Sequence, residues 1–331
     1  MDTFLFALNA ILPIILLIFL GYFLKKKKFL EEDWFKKGNK LVFKVCLPVM
    51  LFVNVYNIES FSNINWSVVA YAEVAIFAIF LLGLILVKIA VPEERQKGVI
   101  LQCVFRSNFA IIGLPLAEAL GGAEGVGIAA VLSAFSIPTF NVLAVIALNM
   151  FRKGENGQKI SWLDMVKKIA KNPLIIGVLC GLLALGIRMI LPENAEGNPV
   201  FTLSGSLPFL YTAINNVAKI CSPLALIVLG GLFDFAAVKE LKKQIIIGTA
   251  VRVVAVPGLV LAIAVLLNFD TASYPALVAL FGSPVAVSSA IMAQEMENDG
   301  VLAGQLVVWT SIASIFTLFL IIAGLRGLGL L

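Results

Sequence analysis

One stretch of the sequence decides how the rest is interpreted: Arg106-Ser107-Asn108-Phe109-Ala110-Ile111-Ile112-Gly113-Leu114-Pro115-Leu116. It lies inside an apolar run, residues 99–120, that is long enough to form a transmembrane helix. Proline lacks a backbone donor and clashes with the preceding turn, so we expect the helix to break or kink near Gly113. In lipid, irregular backbone is tolerated only where protein surrounds it or where it lines a wet cavity.

A second stretch repeats this pattern: Ala279-Leu280-Phe281-Gly282-Ser283-Pro284-Val285. It also lies in the middle of an apolar run, residues 274–296, and its proline again follows a glycine by two positions. Interrupted helices at matching positions of two halves are the strongest sequence indication of a transporter's binding site. The alternative is a pair of ordinary proline kinks.

The composition indicates a polytopic α-helical membrane protein. The 331 residues are 60% hydrophobic and only 14% charged, whereas a soluble domain has about a quarter charged residues. The four cysteines lie in apolar runs and there is no histidine, which favours small buried side chains over a disulfide framework or metal site. The first apolar run is too long for a cleavable signal peptide.

The apolar runs predict ten spans: 4–24, 39–57, 66–88, 98–120, 126–150, 173–191, 206–233, 243–267, 273–296 and 301–325. The loops after spans 1, 3, 5 and 7 carry 19 of the 25 basic residues. The positive-inside rule makes these loops cytoplasmic, so we expect a multi-pass protein of the cell membrane with both termini outside. Because the basic residues lie in these loops, the net charge of +5 does not indicate nucleic-acid binding.

The two halves of the chain repeat. Phe43-Lys44-Val45-Cys46-Leu47-Pro48 in span 2 matches Ala218-Lys219-Ile220-Cys221-Ser222-Pro223 in span 7. Residues 1–150 and 173–331 would each hold five spans, and an odd number requires an inverted-topology repeat. The linker, 151–172, has capping-box spacing and an apolar face at 161–169, which predicts a short amphipathic helix on the membrane surface rather than a solvated linker.

Paired helix breaks would form an anion site. We expect new half-helices to start at Pro115 and Pro284, and their free N–H groups and positive dipole ends suit a carboxylate. The free carbonyls of the preceding half-helices suit a cation or a donor. The substrate-binding candidates are therefore Arg106, Asn108, Gly113, Pro115, Gly282, Ser283, Pro284 and Ser288. The alternatives are that Arg106 snorkels to the surface and that the serines only pack between helices.

Four charged residues inside the spans are candidates for ion coupling or ion pairing: Glu73, Glu118, Lys44 and Arg252. Charges at depth are costly and are usually paired or functional. Either carboxylate could pair with Lys44 or carry a proton. Lys44 lies near a span end and could instead snorkel. The possible coupling ions are H⁺ and Na⁺, and no other cofactor is expected.

The two motifs resemble those of the auxin efflux carrier family, which includes plant PIN proteins and bacterial proteins described as malate permeases. The resemblance covers nearly the whole chain. It implies a scaffold domain of spans 1, 2, 6 and 7, a transport domain of spans 3–5 and 8–10, and helices 4 and 9 that cross at their prolines. It also implies that Asn108 holds the substrate carboxylate and that spans 2 and 7 form a homodimer. A matching asparagine is missing from span 9, where Leu277 stands, and the central loop is shorter than in most plant members.

We expect a secondary carrier of a small organic anion, working by elevator-type alternating access. The sequence has no nucleotide-binding loop, zinc motif or nucleophile elbow, so we do not expect an enzyme. One alternative is a sodium- or proton-coupled symporter of another small solute, similar to bile-acid symporters. The other is a membrane receptor that binds its ligand without moving it.

Overall fold

The computed structural model describes residues 2–57, 65–151, 167, 170–192 and 200–331. These residues form helices and connecting segments, and the only β-type pairing among them is an isolated bridge between Ser107 and Val285. The predicted amphipathic helix at 161–169 lies almost entirely outside the described residues.

The helices are numbered here in chain order, with adjoining α, π and 3₁₀ segments joined. They are α1 Asp2–Lys26, α2 Glu32–Tyr56, α3 Trp66–Ala90, α4 Glu94–Phe105, α5 Phe109–Met150, α6 Pro173–Ile190, α7 Pro208–Leu232, α8 Lys242–Leu266, α9 Thr271–Gly282, α10 Ser288–Glu295 and α11 Gly300–Gly327, with single turns at Leu203–Ser206 and Ala237–Glu240.

Every predicted apolar segment coincides with helical structure. Seven helices in the described part of the chain are long and apolar enough to cross a membrane: α2, α3, α5, α6, α7, α8 and α11. At 42 residues, α5 is much longer than one crossing requires. It consists of two helices joined at Gly122, whose φ of 58° and ψ of −146° are accessible only to glycine.

Wide turns precede three of the intramembrane prolines. Each π turn, at Val42–Cys46, Phe109–Gly113 and Val251–Ala255, ends two residues before Pro48, Pro115 or Pro257. A proline has no N–H for the carbonyl four residues earlier, and its ring clashes with that carbonyl. In all three helices that carbonyl lies in the π turn, where the wider geometry moves it away from the ring.

Close glycine contacts hold two helix pairs together. A Cβ at Gly21 of α1 would lie 1.9 Å from the carbonyl oxygen of Ile227 in α7, and one at Gly230 of α7 would lie 1.9 Å from that of Ile18 in α1. In the second pair, a Cβ at Gly177 of α6 would lie 2.5 Å from the Pro48 carbonyl oxygen of α2. Small residues allow such backbone approach between membrane helices.

Three of the four cysteines match the expectation of buried side chains. Cys46, Cys103 and Cys221 are buried, but Cys180 is exposed on α6. The prediction was wrong at Cys180 because an apolar run does not indicate which face of a helix contacts protein and which contacts lipid.

Candidate functional site

The two interruptions predicted from the sequence meet in space. Residues 106–108 separate α4 from α5, and residues 283–287 separate α9 from α10. Ser107 and Val285 form an antiparallel bridge, and the backbone N–H of Asn108 donates to the carbonyl oxygen of Pro284 at 2.8 Å. Extended backbone from both halves is therefore paired here and surrounded by protein, as irregular backbone within a membrane requires.

The exact positions of the breaks differ from the prediction. The second half-helices begin at Phe109 and Ser288, not at Pro115 and Pro284. Pro115 lies inside α5 after the π turn, which accommodates the ring without ending the helix. Pro284 lies in the middle of the extended segment, and its carbonyl takes part in the contact between the breaks.

A cavity opens on one side of these paired breaks. The space between its lining atoms, which includes open solvent, is about 540 Å³. It lies between α2 and α7 on one side and the breaks with α5 on the other. Its lining residues are Leu47, Met50, Leu51, Asn54, Arg106, Ser107, Asn108, Ala110, Ile111, Ile137, Phe140, Asn141, Cys221, Ser222, Ala225, Ala286, Val287 and Ser288.

The cation of this cavity is the Arg106 guanidinium. Arg106 is only 4% exposed, so it does not snorkel to the surface. It donates to Asn141 Oδ1 at 2.8 Å and to Ser288 Oγ at 2.9 Å, and it also contacts the Met292 sulfur. Within the described residues no carboxylate forms an ion pair with it. A buried charge that has only neutral partners is costly, and an anionic ligand would offset that cost.

Asn108 provides a second donor to the cavity. Its side chain is 4% exposed, and its Nδ2 has no hydrogen-bond partner in the described part of the chain. A buried donor without a partner costs free energy, and at a cavity wall it can be satisfied by a ligand. The neighbouring Ser107 Oγ is also buried and has no hydrogen-bond partner among the residues that the structure describes.

Interrupted helices that meet at a polar cavity are found at the binding sites of transporters, and one family of known proteins matches the chain. The profile of the family described as membrane transport protein matches residues 6–322. The chain belongs to this family. It is the auxin efflux carrier family that the two motifs resemble, so the chain is a membrane transporter. No curated protein matches the chain.

The transporter's cavity contains only some of the residues singled out in its sequence. Arg106, Asn108 and Ser288 line it, whereas five other predicted residues do not: Gly113, Pro115, Gly282, Ser283 and Pro284. Gly113 acts through the backbone instead. A Cβ at Gly113 would lie 2.9 Å from the Ala279 carbonyl oxygen, so this glycine lets α5 approach α9.

Four polar residues of the transporter's cavity were not among the predicted site residues: Asn54, Ser107, Asn141 and Ser222. Each is a polar residue within an apolar span, which was the available signal. The Asn141 amide is held by two contacts, since its Oδ1 accepts from Arg106 and its Nδ2 donates to the Ile137 carbonyl at 2.8 Å. Asn141 therefore orients the guanidinium.

The predicted coupling residues of the transporter separate into different roles. Glu73 is half-buried, with one oxygen accepting from Thr139 Oγ1 at 2.8 Å and Oε1 buried without a partner among the described residues. Glu118 and Lys44 are exposed, and the described residues contain no ion pair involving Glu73, Glu118 or Lys44. Lys44 faces outward from α2, so the ion pair that the sequence left open for it is absent among these residues, and the snorkelling alternative stays a prediction.

Arg252 is also not an ion-pair partner of the intramembrane acids. It is fully buried, and all its described hydrogen bonds go to backbone carbonyl oxygens at the ends of α4 and α9. In the described part of the chain, no group of three or more acidic or cysteine side chains is placed to hold a metal ion.

Proposed function

We propose that this transporter is a secondary carrier of a small organic anion, in particular a carboxylate, across the cell membrane. One observation carries the proposal: Arg106 and Asn108, two residues apart in the sequence, are both buried and line one cavity. Among the described residues the Arg106 guanidinium has no anionic partner and the Asn108 Nδ2 has no hydrogen-bond partner. A carboxylate would supply both partners, because its oxygens accept from a guanidinium and from an amide N–H.

The ends of the half-helices support the same choice of ligand. Ala110 and Ile111, in the first turn of α5, line the cavity, as do Val287 and Ser288 at the start of α10. The Ile111 N–H already donates to the Asn108 carbonyl oxygen at 3.3 Å. The end of a helix as a whole still carries partial positive charge, because the first N–H groups have no carbonyl partner one turn earlier. Two such ends and one guanidinium together favour an anion strongly over a neutral solute.

The position of the cavity suits alternating access. α2 and α7 form one wall, and the breaks with α5 form the other. In our proposal the chain crosses the membrane ten times, as two inverted repeats of five spans each. Span 4 consists of α4 and the first part of α5, and span 9 consists of α9 and α10. A transport domain of spans 3–5 and 8–10 moves as an elevator against a scaffold of spans 1, 2, 6 and 7. The reciprocal packing of α1 on α7 and α6 on α2 is what such a repeat would produce. We further propose that the scaffold forms a homodimer.

The test of this proposal has two parts. Purified protein is heated in the presence of a panel of mono- and dicarboxylates, because a ligand that binds only the folded state raises the melting temperature. The carboxylates that shift it are then loaded into proteoliposomes for counterflow. Binding with flux is the expected result. Binding without flux would favour a receptor, and stabilisation only by neutral solutes would contradict the anion site.

The Asn108 amide is expected to contribute measurably to affinity. Asn108→Ala removes one hydrogen bond to a charged ligand, at a cost of about 1.5–3 kcal/mol, or roughly 10–100-fold in Kd. Asn108→Asp places a carboxylate in the same cavity as the guanidinium, where it competes with the ligand, and should weaken binding more. The measurement is calorimetric affinity for a carboxylate from the panel. Equal carboxylate affinity in wild type, Asn108→Ala and Asn108→Asp would show that Asn108 does not bind the ligand.

Proton coupling is the second candidate, and Glu73 is the observation that favours it. Its Oε1 is buried without a partner among the described residues, whereas Glu118 is exposed. We expect Glu73→Gln to abolish the dependence of uptake on a proton gradient while carboxylate binding persists, because the amide cannot take up or release a proton. Glu118→Gln is the matched control and should retain the dependence. Uptake driven equally well by a proton gradient in both variants would assign coupling to other groups.

A further inference from the structure

A single guanidinium joins the ends of the two half-helices that lead into the breaks. Arg252 lies in the π turn of α8, is 0% exposed and does not line the cavity. Its Nε and Nη2 donate to the Ser283 carbonyl oxygen at 3.1 and 2.7 Å. Nη1 lies 3.3 Å from the Val104 carbonyl oxygen, and Nη2 lies 3.3 Å from that of Phe281.

These carbonyls are available because the breaks leave them without their helical partners. The Val104 carbonyl would accept from the N–H of Asn108, but that N–H donates to Pro284 instead. The Leu280 carbonyl, 3.5 Å from Nη2, would accept from residue 284, and a proline has no N–H. Buried carbonyls without partners are costly, so the crossing requires a donor or a cation at this point.

The charge of Arg252 matches what the two helix ends present. Each helix C-terminus carries about −0.5 elementary charge, so α4 and α9 together present about −1. One guanidinium supplies +1, and its planar fork of five donors can reach carbonyls of both helices at once. The described residues hold no carboxylate in an ion pair with Arg252, so its charge serves the helix ends. The Arg106 charge remains for the cavity.

We propose that Arg252 is a built-in replacement for a coupling cation. In broken-helix carriers, unwound carbonyls and half-helix C-termini are the groups that coordinate Na⁺. Here those groups are occupied by a covalently attached cation that cannot leave. Arg252 is thus a positioning residue that keeps both breaks in register, and anion transport, which rests on the function proposed above, needs no Na⁺ at this point.

The test replaces the fixed cation by a diffusible one. Arg252→Ala is purified, and its melting temperature is compared in equal concentrations of choline, sodium and guanidinium chloride in the low millimolar range. We expect the variant to melt lower than wild type in choline, and guanidinium or Na⁺ to restore part of the loss by binding the vacated carbonyls. Wild type and Lys243→Ala, which removes an exposed charge from the same helix, should show no difference between the three salts.

Transport gives the second readout. Carboxylate uptake by wild type should be the same in sodium and choline, whereas uptake by Arg252→Ala should rise several-fold when guanidinium or Na⁺ is added. Arg252→Lys keeps the charge but contacts fewer carbonyls. This variant should therefore fold and bind carboxylate more weakly than wild type, and its carboxylate uptake should not depend on Na⁺. If Arg252→Ala does not fold in any salt, Arg252→Lys decides. A folded Arg252→Lys protein with reduced carboxylate affinity supports the proposal, and one with wild-type carboxylate affinity overturns it.

Two further results would overturn the inference. The first is Na⁺-dependent melting and uptake in wild type, since the site would then already bind a free cation. The second is an Arg252→Ala protein whose melting temperature and uptake match wild type in choline. The melting experiment needs no substrate, so it still decides the role of Arg252 if no carboxylate binds and the proposed function itself fails.

Discussion

Replacement of Arg106 by Gln is expected to reduce carboxylate affinity by about 100-fold or more. The guanidinium is the buried cation of the cavity, and without it the ligand charge would be buried with only neutral partners. Removing one partner of a buried charge pair costs about 3–5 kcal/mol, which is roughly two to three and a half decades in Kd. The same change relieves the free protein of an uncompensated buried charge, so its melting temperature without ligand should not fall and can rise.

This opposite response of binding and stability identifies Arg106 as a ligand-binding residue. The measurements are calorimetric affinity and ligand-free thermal melting of Arg106→Gln, with Lys243→Gln as the control that removes an exposed charge. The carboxylate affinity of Arg106→Lys should lie between those of wild type and Arg106→Gln. An ammonium keeps the charge but loses the planar group that contacts both Asn141 and Ser288. Unchanged affinity with a large loss of stability in Arg106→Gln would make the residue structural.

The second large effect is expected at the contact between α1 and α7. Gly230→Ala would place a Cβ 1.9 Å from the Ile18 carbonyl oxygen, which is backbone and cannot rotate away. The two helices must separate, and overpacking of this kind costs about 3 kcal/mol. For a chain of this size that corresponds to a fall of roughly 4 °C in melting temperature.

Gly186→Ala on α6 is the matched control. Apart from the backbone of its own helix, no atom of the described residues lies within 4 Å of a Cβ at Gly186, and alanine favours the helix over glycine by about 1 kcal/mol. Its melting temperature should therefore stay the same or rise slightly. Equal melting temperatures for Gly230→Ala and Gly186→Ala would show that the α1–α7 contact can relax and does not fix the two helices.

The sequence predicted the helices well because their signal is local. A run of apolar residues reports on its own environment, and each of the ten runs coincides with helical structure. The glycine–proline pairs also indicated the two interrupted regions, since a missing N–H affects the helix that contains it. Arg106, Asn108 and Ser288 were found because polar residues near such breaks are uncommon in lipid.

Other features could not be predicted because they depend on contacts between distant segments. Pro115 is accommodated by a π turn, so its position does not mark the break, which lies at residues 106–108. The partners of Arg252 come from α4 and α9, more than twenty residues away in either direction, and backbone carbonyls leave no signature in a sequence. Asn54 and Ser222 face the cavity only because α2 and α7 pack beside the breaks.

The π turns change which face of a helix each residue lies on. An α-helix advances about 100° per residue, so the extra residue in a wide turn rotates everything beyond it by about that angle. A single helical wheel drawn through α2 or α8 therefore assigns the residues on one side of the turn to the wrong face. Each of these two helices has two phases, joined at Val42–Cys46 in α2 and at Val251–Ala255 in α8. A substitution scan of their faces, or a designed insertion or deletion, should treat the residues before and after each π turn as separate helices.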